Sequence, residues 1–211
     1  MARPRLIAFG CSLTYGHGLP DCFEPPTYPG PKHSELAWPS IVATKCNLRL
    51  VNASQCGASF REICHTILNF DFEKDDKVVV LWTNLYRWCK ISPHGIKDRF
   101  GLWQKGPIAD NLAEHWSEEY DMVVSASHYI NLAYYHLRQH NIKHIQILSG
   151  SGIKPDFKWD FKKLKWNTAK LEDYDFSVRN EYPKALDDAH PGLEAHKEFA
   201  KLVVKSVDKL L

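Results

Sequence analysis

The chain has 211 residues, 44% of them apolar, with 11 Gly and 12 Pro, a size and composition that predict one domain, residues 1–211, with a full core. A formal net charge of +2 is too small to point to nucleic acid, and no uncharged apolar run approaches the roughly 20 residues that span a bilayer. The six scattered cysteines lack Cys-x-x-Cys spacing and read as reduced thiols of a cytoplasmic protein.

Met1 to Arg5 is basic but runs directly into apolar sequence, without the apolar segment of about 7 to 15 residues that a signal peptide carries. Leu6 to Phe9 then reads as a buried parallel strand, ended by Gly10 and followed at once by Ser12. This puts a hydroxyl at the carboxyl end of the first strand, where open α/β sheets bind their ligands. Five prolines between Leu19 and Lys32 (Pro20, Pro25, Pro26, Pro29, Pro31), with Phe23 and Tyr28 among them, exclude helix and predict an extended loop on the pocket side. That loop is either a plain connection or part of a substrate lining.

Ser34 is placed as an N-cap and Pro39 early in the next helix, which turns Leu36, Ala37, Ile41, Val42 and Cys46 inward. Arg49 to Ala53 is the second strand, and Gly57 opens a helix to about Asn69 with Phe60, Ile63, Cys64, Ile67 and Leu68 on one face. Lys77 to Trp82 (KVVVLW) predicts a central strand buried on both faces, with Asn84 just past its carboxyl end. Residues 85–113 show no sustained period and hold Arg87, Trp88 and Trp103, as expected of an insertion folded over the edge of a site. Arg87 there suits either an acidic or hydroxyl-rich substrate group or an ordinary ion pair.

Glu118 to Asn141 carries the longest helical pattern (Val123, Ala126, Ile130, Ala133 or Tyr134, Leu137), and Lys143 to Leu148 is the next strand. His136 and His140 are four apart but lack the glutamate of a zinc-protease pair, so no metal is expected. Residues 150–185 interleave aromatics (Trp159, Phe161, Trp166, Tyr174, Phe176, Tyr182) with lysines from Lys154 to Lys170, which fits a lid or a carbohydrate platform better than a nucleic-acid surface. Asp187 stands three residues before His190, and Pro191 then starts a helix with Leu193, Phe199, Ala200, Val203, Val204, Val207 and Leu210 inward. An Asp at that spacing can hold imidazole Nδ1 and leave Nε2 as a base for a serine, which is a weak nucleophile without one. Taken alone, it equally fits a helix cap beside a surface histidine.

Taken together, these blocks resemble the SGNH hydrolases, also called the GDSL family. The serine of Gly10-Cys11-Ser12-Leu13 matches the first block, Gly57 the second, Asn84 of Trp82-Thr83-Asn84-Leu85 the third, and Asp187 with His190 the last. Three departures mark this chain: Cys11 replaces the usual Asp, Trp82 the usual Gly and Leu85 a second Asp. The resemblance implies a three-layer α/β/α sandwich around a flavodoxin-like parallel sheet of four or five strands. A Rossmann-type domain is disfavoured because Gly16 and Gly18 do not extend to Gly-x-Gly-x-x-Gly.

The resemblance further implies a triad of Ser12, His190 and Asp187, an oxyanion hole of Ser12, Gly57 and Asn84, and no cofactor. The expected substrate is a small-molecule or glycan ester, above all an acetyl ester of a carbohydrate, with lysophospholipase or thioesterase chemistry as sister readings. Trp82, Arg87 and Trp88 are placed at the substrate, Trp82 either narrowing the acyl side or packing in the core. Cys11 is expected below the turn as a small apolar residue, the thiol nucleophile being the lesser alternative. A second class of function, a glycan- or protein-binding module without catalysis, leaves Ser12, Asn84, Asp187 and His190 without a purpose.

Overall fold

A computed structural model describes residues 3–24, 29–101, 104–107, 110–111, 114, 119–149, 171–174 and 181–210. Pro25, Pro26, Tyr28, Trp103 and most of 150–180, with its aromatic and lysine side chains, lie outside the described residues. The elements, in order, are β1 (Arg5–Phe9), α1 (Ser12–Tyr15), α2 (Trp38–Lys45), β2 (Arg49–Asn52), α3 (Phe60–Leu68), β3 (Lys77–Trp82), β4 (Arg87–Ser92), β5 (Gly95–Gly101), α4 (Glu119–Gln139), β6 (Lys143–Ser149), β7 (Leu171–Tyr174) and α5 (Leu193–Val207). Five of the strands form one parallel sheet in the order β2-β1-β3-β6-β7. Helices α2 and α5 pack together on one side of it, α3 and α4 on the other. The result is a three-layer α/β/α sandwich.

Every residue of β1 after Arg5, and of β3 after Lys77, is buried, because helices cover both faces of the sheet centre. Leaving the β4–β5 pair aside, the strand order is 2-1-3-4-5, the flavodoxin order, so the topology reverses between β1 and β3. The carboxyl ends of those two strands carry Ser12 and Asn84. Two helices hand the chain back to the sheet in the same way. Asn47 and Asn141 take φ of 53° and 57°, and the next residues, Leu48 and Ile142, return N–H bonds of 2.8 and 2.9 Å to Ala43 and Leu137 while burying their side chains.

The chain departs from the sequence expectation in several places, among them Leu36, which is exposed ahead of α2 instead of turned inward. Ser34 is not the N-cap of α2: it is buried four residues earlier, its hydroxyl donating to Asp21 Oδ1 at 2.5 Å and accepting from Leu36 N–H at 3.0 Å, while Ala37 caps the helix. Gly57 does not open α3, because Ser59 does, accepting from Glu62 N–H at 3.3 Å. Part of the unpatterned 85–113 segment is an antiparallel hairpin, β4 with β5, whose register shifts at Lys90 and Ile91.

One buried group ties the outer layer to pH. His196 of α5 is 1% exposed, and its Nδ1 accepts the Trp38 N–H at 3.2 Å, which puts the ring proton on Nε2. Burial, aided by nearby His190, pushes its pKa down to about 3. The unfolded imidazole protonates near its ordinary value of about 6.5, so between the two values the unfolded state holds more protons. Stability is therefore lost as pH is lowered through that window, by up to about 1.4 kcal/mol per pH unit. His196→Gln keeps an acceptor for Trp38 and cannot titrate. It is expected to flatten the slope of urea-derived stability between about pH 6 and pH 4 by about 1 kcal/mol per unit; equal slopes in both proteins would contradict this.

Candidate active site

The site is built on the turn after β1. A Cβ on Gly10 would sit 2.1 Å from Thr14 Oγ1 and 3.1 Å from the Leu81 carbonyl, so only glycine lets the turn press against β3. The Gly10 carbonyl accepts Gln55 N–H at 3.2 Å, and the Asn52 amide donates to the Thr14 carbonyl at 3.0 Å, joining the turn to the loop that carries Gly57. Cys11 is buried as the N-cap of α1, its carbonyl accepting Thr14 and Tyr15 N–H. Ser12 is the first helical residue, 3% exposed, and its Oγ makes no hydrogen bond among the described residues. A buried, unsatisfied hydroxyl costs about 1 to 3 kcal/mol, a cost that marks functional positions.

The distant Asp187–His190 loop docks onto the loop that follows α1. Leu186 N–H donates to the Gly18 carbonyl at 2.9 Å, and a Cβ on Gly18 (φ +86°) would fall 2.7 Å from Asp187 Oδ1. Asp187 Oδ1 accepts the N–H groups of Ala189 and His190 at 3.1 and 3.0 Å, and Oδ2 receives His190 Nδ1 at 2.5 Å. Burial raises the Asp187 pKa, but the two backbone N–H groups and the imidazole outweigh it and hold the carboxyl below its ordinary range. An ionised Asp187 fixes the proton of neutral His190 on Nδ1 and leaves Nε2 as the basic atom.

His17 lies against this pair, its ring centroid 4.4 Å from that of His190 and its Nε2 3.9 Å from Asp187 Oδ2. Burial and the neighbouring His190 push its pKa down, against the pull of Asp187. The ligand atoms of His17, Asp187 and His190 lie within 4.8 Å of one another, a donor set that transition ions accept. However, His190 Nδ1 and Asp187 Oδ2, at 2.5 Å, are closer than two ligands of one tetrahedral zinc, which sit about 3.4 Å apart. The planes of the His17 and His190 rings are tilted 33° to each other. The arrangement is that of a hydrogen-bonded dyad with a third ring packed on it.

Gly57 takes φ +79° in the loop before α3, and a Cβ there would meet Arg99 Cδ at 3.3 Å. Asn84 Oδ1 accepts Tyr86 N–H at 2.8 Å, which fixes the carboxamide with Nδ2 as its other, donating end. Trp82 does not line a substrate pocket. It is fully buried, stacked face to face on Phe60 at 5.3 Å, with Nε1 donating to Gln146 Oε1 at 2.8 Å. The indole that replaces a small residue is absorbed by α3 and β6. Arg87 and Trp88 are half-buried in β4, with the Arg61 guanidinium 5.7 Å over the Trp88 ring.

Sequence reasoning missed His17 and Gly18, whose Gly16-His17-Gly18 context was weighed only against a dinucleotide motif. It also missed the Glu62–Arg99 pair that clamps the hairpin to α3 through bonds of 2.5, 2.8 and 3.1 Å. Nothing local in either segment shows that it meets the other. With the indole in the core, Trp82→Gly is expected to lower stability by about 4 kcal/mol without widening the range of acyl chains accepted. Chemical denaturation checks the first outcome, and a wild-type midpoint in the variant would sink it.

No protein-family model matches the chain, and no curated protein does. Solved structures of the same fold do match, at identities that establish the fold alone. One, named as a lipolytic protein of the G-D-S-L family from Desulfitobacterium hafniense DCB-2, is 15% identical with a TM-score of 0.59 over 95% of this chain and 98% of its own. The psychrotrophic esterase of a Pseudoalteromonas species is 12% identical with a TM-score of 0.55 over 98% and 97%. The acetyl xylan esterase of Butyrivibrio proteoclasticus is 14% identical with a TM-score of 0.61 over all of this chain, which spans 65% of that protein. The chain therefore shares the three-layer fold of these esterases.

Proposed function

We propose that the chain is a serine esterase that transfers an acyl group to water through Ser12, His190 and Asp187. The observation that carries the reading is the Asp187–His190 dyad, at 2.5 Å, seated through Gly18 on the loop that follows α1, the helix whose first residue is Ser12. In this mechanism Ser12 Oγ forms a bond to the ester carbonyl carbon as His190 Nε2 takes its proton. The carbonyl oxygen becomes an oxyanion, received by the Ser12 and Gly57 N–H groups and Asn84 Nδ2. Removing one such donor typically costs about 3 kcal/mol in the transition state. Collapse breaks the ester C–O bond, and His190 returns the proton to the departing alkoxide. Water then attacks the acyl-serine with the same base, releasing the acid and free Ser12.

The Ser12 hydroxyl bonds to no described residue, His190 included. Catalytic hydrogen bonds commonly tighten only once substrate is bound, and a serine rotor can swing. The substrate within this reading is a small acyl ester, an acetyl group on a carbohydrate. It is supported by the shared fold with an acetyl xylan esterase. Among the described residues no helix is long and apolar enough to cross a membrane.

A phosphonate ester reagent is expected to label Ser12, with labelling nearly abolished in His190→Ala and hydrolysis of a short-chain chromogenic ester lost in Ser12→Ala. Asp187→Asn should cut kcat by about 10³- to 10⁴-fold, since the amide favours the wrong imidazole tautomer. Cys11→Ala should keep most activity. Peptide mass mapping and steady-state kinetics check all four. An adduct on another residue, or an inactive Cys11→Ala beside an active Ser12→Ala, moves the nucleophile elsewhere.

A further inference from the structure

The β4–β5 hairpin meets the loop of Gly57 through the rung of Cys89 and Arg99. These two residues are cross-strand partners, so their side chains leave the same face of the hairpin. Cys89 is fully buried and hydrogen-bonded to Ser59, the N-cap of α3. Arg99 is held by both oxygens of the buried Glu62 carboxylate, in the first turn of the same helix. Its aliphatic stem lies over Gly57: a Cβ built on that glycine would be 3.3 Å from Arg99 Cδ and 3.9 Å from Arg99 Cβ.

Gly57 thus has the hairpin packed on it, while its loop is tied to the nucleophile turn. Gln55 N–H donates to the Gly10 carbonyl at 3.2 Å, and Ala58 N–H closes the turn on the Gln55 carbonyl at 3.1 Å. Among the described residues the Gly57 N–H itself meets no acceptor. Glycine moves between φ wells at little cost, so nothing in residue 57 alone keeps it at φ +79° with that N–H in a fixed direction. The Arg99 stem supplies the missing wall. Its charge is cancelled by Glu62, so what Arg99 brings to the loop is placement and not potential.

The geometry points to Arg99 as a positioning residue: its stem holds the Gly57 N–H in place as an oxyanion donor, so that the hairpin acts on the chemical step from outside the triad. The role rests on the esterase reading of Gly57. An oxyanion exists only in the transition state, so a loosened donor lowers kcat and leaves KM alone. A hairpin that served only to line the substrate would instead move KM.

Removing Arg99 alone would strand the Glu62 charge, so the test uses two neutral pairs, Glu62→Gln with Arg99→Ala and Glu62→Gln with Arg99→Met. Both lack the ion pair, and only the second keeps a stem over Gly57. On a short-chain chromogenic ester the Ala pair is expected to lose about 10- to 100-fold in kcat with KM within about threefold of wild type, and the Met pair to recover most of that loss. Arg99→Val, which suits a strand but has no Cδ, replaces Arg99→Ala if that protein does not fold. Equal kcat in the two pairs, or a loss that falls on KM, overturns the positioning role while the esterase reading stands. If wild type turns over no such ester, or Ser12→Ala turns it over equally well, the esterase reading fails by itself, and amide exchange at Ala58, followed by NMR, decides what Arg99 does. Exchange about tenfold faster in the Ala pair than in the Met pair upholds its hold on the loop, and equal exchange removes it.

Discussion

The contact on which the site depends is the seating of Asp187 against Gly18. A side chain at Gly18 would overlap the Asp187 carboxylate and Ala185 Cβ, at 2.7 and 2.9 Å, and would break the fit between residues almost a full chain length apart. With glycine there, the Gly18 carbonyl takes Leu186 N–H, Ala185 N–H bonds back to the His190 carbonyl, and the loop closes around its own carboxylate. Asp188 adopts φ +54° to make that closure, a conformation Asp tolerates better than most residues. The short Asp187–His190 bond is thus a product of the docking. Ionising Asp187 in turn strengthens the loop, because its depressed pKa means that the stabilisation is present above the ordinary carboxylate range and fades as pH falls through the lowered value.

What was legible in the sequence is what local chemistry dictates. Lys77 to Trp82 reads as a strand because six residues without a turn former are apolar enough to be buried on both faces, and its bounds are those observed. The long helix ends at Gln139, two residues short of the expected Asn141, because Asn141 is needed at φ 57° to turn the chain into β6. The Asp-x-x-His pair was legible because its two members share one loop. By contrast, β4 and β5 alternate only weakly, and the register shift at Lys90 and Ile91 breaks the period of two that would expose a hairpin. The pairing of His17 with Asp187 and of Glu62 with Arg99 depends on which segments the sheet brings together. No window of sequence carries that.

The same long-range packing explains how an indole fits where the resembling family has glycine. Trp82 ends the central strand, and Phe60, first residue of α3, lies parallel to it at 5° while Gln146 on the neighbouring strand takes its N–H. The size of the side chain is accommodated behind the strand end, leaving the rim to be shaped by the hairpin. Arg99 holds that hairpin down on a carboxylate that is almost wholly buried. Breaking such a pair by removing one partner would strand a charge, even though the intact pair adds little net stability. Glu62 and Arg99 therefore fix where the hairpin sits more than how stable the domain is.

The unsatisfied hydroxyls complete the picture. Among the described residues, Ser12 Oγ, Thr14 Oγ1 and Thr83 Oγ1 are all buried without a hydrogen bond, and all three lie where β1 and β3 end. Other buried polar groups are hydrogen-bonded, as at Ser34, Ser59 and Trp82, while Trp38 Nε1, His33 Nδ1 and Gln146 Nε2 share the lack of a hydrogen bond among the described residues. Each of the three hydroxyls at the topological switch point carries a local cost of about 1 to 3 kcal/mol. Alanine or valine would remove that cost, so stability alone gives no reason for hydroxyls here. Their place coincides with the crevice that the 2-1-3-4-5 strand order opens between β1 and β3, where open α/β sheets bind their ligands.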